Sequence, residues 1–317
     1  MDYGKEKGVD KLRLLKEIPI RRPRWNCLYY SLEDKKYGLD LLLLIQALQF
    51  WQPIISFVTL DCTPNKRAVE SALLLAQMPH LQSLTLSGWK EDHILLFLSN
   101  SRSRRLHDLW LKHIHASSGP LSLVGTTQVF EPIQVKVLTF DHVGRTFCEL
   151  LISKYVDFST GERYSSEHCL PLTVELPKTL SFFFLLYDFQ PTTSFKTSTV
   201  MMPKPLDFRG FENLETLIID GAHERNTMIS PDFFTCFDLP SLQSLSLSHC
   251  HINSRDFQNF LSGLASVPRG FAGLELRMFF GAWSDEEMRQ VAAIGKKVAS
   301  EQTKASIVAM YFSLEES

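Results

Sequence analysis

The sequence predicts an α/β repeat architecture, a solenoid of stacked units in which each short strand is followed by a return segment, helical in several units. Three observations predict it. An apolar-x-x-apolar-x-apolar pattern begins at Trp25, Ile55, Leu81, Leu106, Val135, Leu180, Leu214, Leu242, Phe271 and Ile307. Its usual spacing is about 25 to 30 residues, the scale of one supersecondary unit. Two copies, Leu81-Gln-Ser-Leu-Thr-Leu86 and Leu242-Gln-Ser-Leu-Ser-Leu247, are nearly the same hexapeptide. Between copies, apolar residues recur at i, i+3, i+4 and i+7, the spacing of one helix face.

The elements follow in order. Residues 1–24 match no unit and form an N-terminal arm or cap. About nine irregular units then fill 25–283. Each signature is a strand whose alternate residues point the same way. The apolar run from Leu39 to Trp51 is a helix ended by Pro53, and Val69, Ala72, Leu73 and Ala76 make a stripe before Leu81. Two insertions interrupt the rhythm, at 141–179 and 187–213. The first holds a helix at Phe147–Ile152 and a polar loop at Asp157–His168, and the second carries Pro191, Pro203 and Pro205 among Thr and Ser, which reads as irregular chain. After Leu247, Asn253-Ser-Arg-Asp256 offers N-cap chemistry to a helix carrying Phe257, Phe260, Leu261 and Leu264 on one side. Residues 284–317 read as a C-terminal capping helix and strand. Ser284-Asp-Glu-Glu287 has the capping-box form, Val291 and Val298 share a stripe, and Ile307–Phe312 is a last strand.

Composition excludes several classes. Lys plus Arg (33) nearly balances Asp plus Glu (35), so no global charge points to nucleic acid or a membrane surface. The basic N-terminal run and Arg102, Arg104 and Arg105 are short enough to be solvated ends and loops. The longest apolar stretch, Leu39 to Leu48, is too short to span a bilayer. Six scattered cysteines without a CxxC pair, and no apolar leader, indicate reduced thiols in a cytoplasmic or nuclear protein.

The signature residues, above all Leu242 to Cys250 and Leu81 to Leu86, resemble the leucine-rich repeat family, in particular its ribonuclease-inhibitor-like form with long helical units. The family's Asn/Cys position is Cys250 here, but Trp89, Ile114 and Val143 stand there in other units. Irregular repeats of this kind resemble those joined to F-box adaptors or to nucleotide-binding immune sensors. The first 54 residues show no convincing F-box, and the sequence has no GxxxxGK[ST] loop. The resemblance implies a horseshoe with a parallel sheet on its concave side and helices outside. It also implies that the residues between the inward apolar positions face a groove that binds a protein, for F-box adaptors a ubiquitin-ligase substrate or component.

On that reading the candidate partner-binding residues are Trp110, Phe182, Phe184, Leu186 and Ile218, with Asp108, Lys112, Asp141 and Asp220 as charged selectors around them. Trp110 is fixed by Leu109 and Leu111 on either side. The run from Leu180 to Leu186 is apolar at both parities, so its register is open, and the 190–207 segment either folds over it or leaves it free.

Catalytic, cofactor and metal sites are not expected. HExxH, GxSxG and GxGxxG motifs are missing. His249-Cys250-His251 alternates across a strand and cannot converge on one ion without a turn, and His113 with His115 has no third ligand near in sequence. Asp61, Asp141 and Asp220 share a column but lie several strands apart. Three functions stay open: a protein-interaction module, substrate recognition for a ubiquitin ligase, and an enzyme built on the two insertions with His142 or His168 as base.

Overall fold

The computed structural model describes residues 27–31, 56–61, 68–117, 131–168, 172, 174–186, 210–220, 227–228, 241–248, 250–251, 253–266, 275–279, 284–301 and 310–313. The expected arm at 1–24, the helix from Leu39 to Trp51, His249 and nearly all of the 187–213 insertion lie outside them. The chain divides into two compact units, one of Met1–Thr160 with Leu172–Glu175 and one of Gly161–Pro171 with Leu176–Ser317.

The first unit is built on a parallel sheet. Strands β1 (Cys27–Ser31), β2 (Phe57–Asp61), β3 (Ser83–Ser87), β4 (Arg105–Lys112) and β5 (Ile133–Asp141) lie side by side in chain order. A two-residue β6 (Val156–Asp157) pairs with the start of β5. Alternation decides which face is core. In β3, Leu84 and Leu86 are fully buried while Ser83 and Thr85 are half-buried, and β4 and β5 repeat this with Leu109, Leu111, Leu138 and Phe140 inside. Two helices, α1 (Ala68–Ala76) and α2 (Glu91–Asn100), connect the strands and pack on each other. The stripe of α1 is rotated from expectation. Ser71, Ala72, Leu75 and Ala76 are buried, whereas Val69 is 52% exposed. The expected helix at Phe147–Ile152 appears as α3 (Arg145–Leu150), continued by a π-helical turn at Leu151–Tyr155 that buries Leu151 and Tyr155.

The second unit is again parallel: β7 (Arg163–Glu167), β8 (Phe182–Leu186), β9 (Thr216–Asp220), β11 (Ser244–Ser248), β13 (Glu275–Phe279) and β14 (Met310–Ser313) are successive neighbours. A separate ladder joins β10 (Thr227–Met228) to β12 (Cys250–His251). Helices α4 (Ser254–Ser266) and α5 (Asp285–Glu301) pack together. Their N-termini carry the expected caps. Asn253 Oδ1 accepts the amide of Arg255 at 2.9 Å, and Ser284 and Glu287 close a reciprocal box in which Glu287 accepts the Ser284 amide at 2.8 Å and Ser284 Oγ accepts the Glu287 amide at 3.3 Å. Phe257, Phe260, Leu261 and Val291 are buried, as the helical spacing requires.

Strand β7 corrects the sequence reading, which made Asp157–His168 a loop. Its inward residues are Tyr164 and Ser166, both buried, and buried Gly161 stands in the first apolar position. The pattern is the same with Gly, Tyr and Ser in place of three aliphatics. Backbone hydrogen bonds prove the equivalence. Repeatedly, two successive amides share the carbonyl of the residue just before the neighbouring strand: Gln82 and Ser83 on Ser56, His107 and Asp108 on Gln82, Glu215 and Thr216 on Ser181, Gln243 and Ser244 on Glu215. Ser181 and Phe182 share Glu162 in the same way, so β8 is joined to β7 as the other parallel strands are joined to theirs.

Candidate functional site

The strand registers place the outward side chains in rows. In the first unit one row runs Thr59, Thr85, Trp110, Thr139, and the row beyond it runs Asp61, Ser87, Lys112, Asp141. Trp110 is therefore flanked by two threonines. These short side chains leave the indole standing above them, 38% exposed, although Leu109 and Leu111 beside it are buried. The Lys112 ammonium lies 3.6 Å from the ring centroid, a cation–π contact of about 0.5–1 kcal/mol in such an exposed place. Along the same strand, Asp108 Oδ1 is 3.1 Å from Nδ1 of exposed His107. Trp110, Asp108, Lys112 and Asp141 are thus neighbours on β4 and β5.

In the second unit the register of β8 is settled. Phe183 and Leu185 are buried, with Phe183 stacked on Tyr164 at 5.5 Å, so Phe182, Phe184 and Leu186 point outward. They are half-buried, and Arg163 stands 4.5 Å over the Phe182 ring. Phe184 pairs in register with Ile218, and Leu186 with Asp220, both also half-buried. The apolar residues grouped by the sequence reading are therefore neighbours on one outward face of this unit.

The candidate carboxylates stay apart. Asp61 and Asp141 occupy one row with Ser87 and Lys112 between them, about 14 Å at the usual strand separation. That distance excludes a paired acid and base.

The turn after each strand has its own chemistry. Gly88, His113, His142 and His168 directly follow β3, β4, β5 and β7, and all four have positive φ, from 48° at His113 to 75° at Gly88. In this region glycine is free, and histidine is one of the few side chains found several times more often than average. The geometry extends the ladder by one bond. The Gly88 amide donates to Lys112 O, His113 to Asp141 O at 2.8 Å, and His168 to Leu186 O at 2.9 Å. In the first unit this brings His113 and His142 together with ring centroids 4.6 Å apart, and His142 Nδ1 is 2.7 Å from Asp141 Oδ1. His115, paired with His113 on sequence, instead bridges to Lys90. Sequence spacing missed the His113 and His142 cluster because its members come from different strands. The legible trace is a histidine followed by a buried Ile114 or Val143, in Lys112-His-Ile114 and Asp141-His-Val143, with His-Cys recurring in the sequence at Glu167-His-Cys169 and Ser248-His-Cys250.

Burial shifts a few titrations near these elements. Desolvation pushes the His93 imidazole below its ordinary value and the Glu91 carboxyl above its own. The Ser159 hydroxyl and amide hold Asp157 low. Among the described residues no helix is long and apolar enough to cross a membrane. No protein-family model matches the chain, and no curated protein matches it at a significant level.

Proposed function

We propose that this chain is a non-enzymatic interaction module of leucine-rich-repeat type, a solenoid that recognises a protein partner through its outward strand faces. The observation that carries the reading is Trp110, a large apolar ring held exposed between two threonines on a strand whose neighbouring leucines are buried. An indole left 38% exposed gives the fold only part of its possible burial, and a partner that covers the rest gains the burial of one of the residues most enriched among binding hot spots. Asp108, Lys112 and Asp141 around it supply charge of both signs, which favours a partner surface of mixed charge over a polyanion. The outward Phe182, Phe184, Leu186 and Ile218 of the second unit, with Asp220, form a further apolar patch of the same kind. A cytoplasmic or nuclear setting belongs to the same proposal.

The test compares wild-type chain with Trp110→Ala in affinity capture followed by mass spectrometry, and then in direct titration of the captured partner. A hot-spot tryptophan predicts a loss of roughly 2 kcal/mol, about thirtyfold in affinity. Because the side chain is outward, the melting temperature should stay nearly unchanged. A fall in melting temperature with unaltered binding would overturn the reading. Ubiquitin-ligase components among the captured proteins would narrow it to substrate recognition.

A further inference from the structure

We propose that His113, Asp141 and His142 form a binding site for a divalent transition-metal ion of the zinc type, at the ends of β4 and β5 in the first unit. The inference stands apart from the protein-binding reading, because two histidines outside that patch and a different ligand carry it, with Asp141 alone common to both.

Two imidazoles and a carboxylate suit such an ion: nitrogen donors select zinc, copper or nickel over magnesium or calcium. One ligand atom from each of the three residues lies within 4.8 Å of the others. Ligands around a tetrahedral zinc stand about 3.4 Å apart, from bonds of about 2.1 Å. The gap is roughly 1.5 Å, within reach of χ rotations in side chains that are exposed or half-buried. The backbone needs no change.

Three features make the cluster more than a coincidence of exposed groups. Both histidines sit at positive φ, 48° and 52°, where the preceding turn uses Gly88. A glycine would satisfy the backbone at less cost, so the imidazole at each place is an addition that the turn does not require. The His113 amide is tied to the Asp141 carbonyl at 2.8 Å, which fixes the distance between the two turns. Asp141 Oδ1 lies 2.7 Å from His142 Nδ1, so a carboxylate oxygen and an imidazole nitrogen of this cluster already converge on one point. The nearest cation in register, Lys112, turns its ammonium onto the Trp110 ring rather than towards this cluster. Three protein ligands would leave a zinc ion one open position for water or for a donor from a partner.

The experiment titrates full-length protein with Zn2+ by calorimetry and with Co2+ by absorption spectroscopy. The variants are His113→Asn and His142→Asn, since asparagine also tolerates positive φ and keeps the turn. His107→Asn, which alters an exposed histidine outside the cluster, is the control. The expected result is one ion per chain, a Co2+ spectrum without thiolate charge transfer, at least tenfold weaker binding in each cluster variant, and no change in the control. As a measurement on the unaltered chain, Zn2+ should protect His113 and His142, read by peptide mass spectrometry, from diethyl pyrocarbonate. Absence of binding by the wild-type chain overturns the proposal. So does binding that survives both cluster substitutions, a thiolate-type cobalt spectrum, or acylation of both histidines that zinc leaves unchanged.

Discussion

Ser166 sits in the inward column of β7 at 1% exposure, and its hydroxyl has no hydrogen-bond partner. Every comparable position in β3, β4, β5, β8 and β9 holds Leu, Phe or Ile. A buried, unpaired hydroxyl is a cost that an alanine would not carry. Ser166→Ala should therefore stabilise the protein by about 1 kcal/mol. In calorimetry this would read as a rise in melting temperature of roughly 2–4 °C. The same residue explains why β7 was illegible. A pattern search weighted on aliphatics sees Gly161, Tyr164 and Ser166 as a break, although the backbone joins β8 to β7 as it joins the other parallel strands. Trp110 shows the opposite case. Buried leucines on both sides fix its direction, so its exposure could be read without any coordinates.

Among helices, the capped ones are the most legible and α1 the least. The caps of α4 and α5 use side chains three or fewer residues from the amides they satisfy, so local sequence contains the whole interaction. Asn253→Ala should cost about 1 kcal/mol, and Asn253→Asp should cost far less, measured by urea unfolding at neutral pH. Helix α1 is nine residues long and apolar at most positions, which leaves two possible stripes and no polar face to choose between them. Tertiary packing chose the one with Ser71 and Leu75 inside.

Glu287 joins α5 to α4. It accepts the Ser254 hydroxyl at 2.5 Å as well as the Ser284 donors, and the Ser254 contact first, then those from Ser284, hold its carboxyl below the ordinary value of 4.5. A lowered carboxyl contributes stability that is fully present above that ordinary value and is lost as pH falls through the lowered one. Glu287→Gln should accordingly reduce the melting temperature at pH 7, and the gap to wild type should narrow on acidification below pH 4.5. A gap that stays constant with pH would mean that the carboxylate's charge does not matter there.

For the whole molecule, the parallel α/β class and the alternation of its strands follow from one repeating apolar pattern, because period-two burial leaves so little choice of register. What the sequence could not supply was adjacency across the sheet. The meeting of His113 with Asp141 and His142 depends on Lys112 pairing with Asp141, a register set by the core leucines and not by the histidines. Each strand in the first unit rests chiefly on its immediate neighbours, so damage should spread locally. Leu84→Ala, at a fully buried site in β3, should cost about 2–5 kcal/mol. Hydrogen exchange should show the loss of protection centred on β2, β3 and β4. One consequence reaches further. In-register pairing turns the outward face into a grid of fixed pitch, about 4.8 Å from strand to strand and nearly 7 Å along each strand. Such a grid can be rewritten square by square, from Thr to Trp to Lys, while the leucines beneath keep their places, so new specificities can arise here without putting the scaffold at risk.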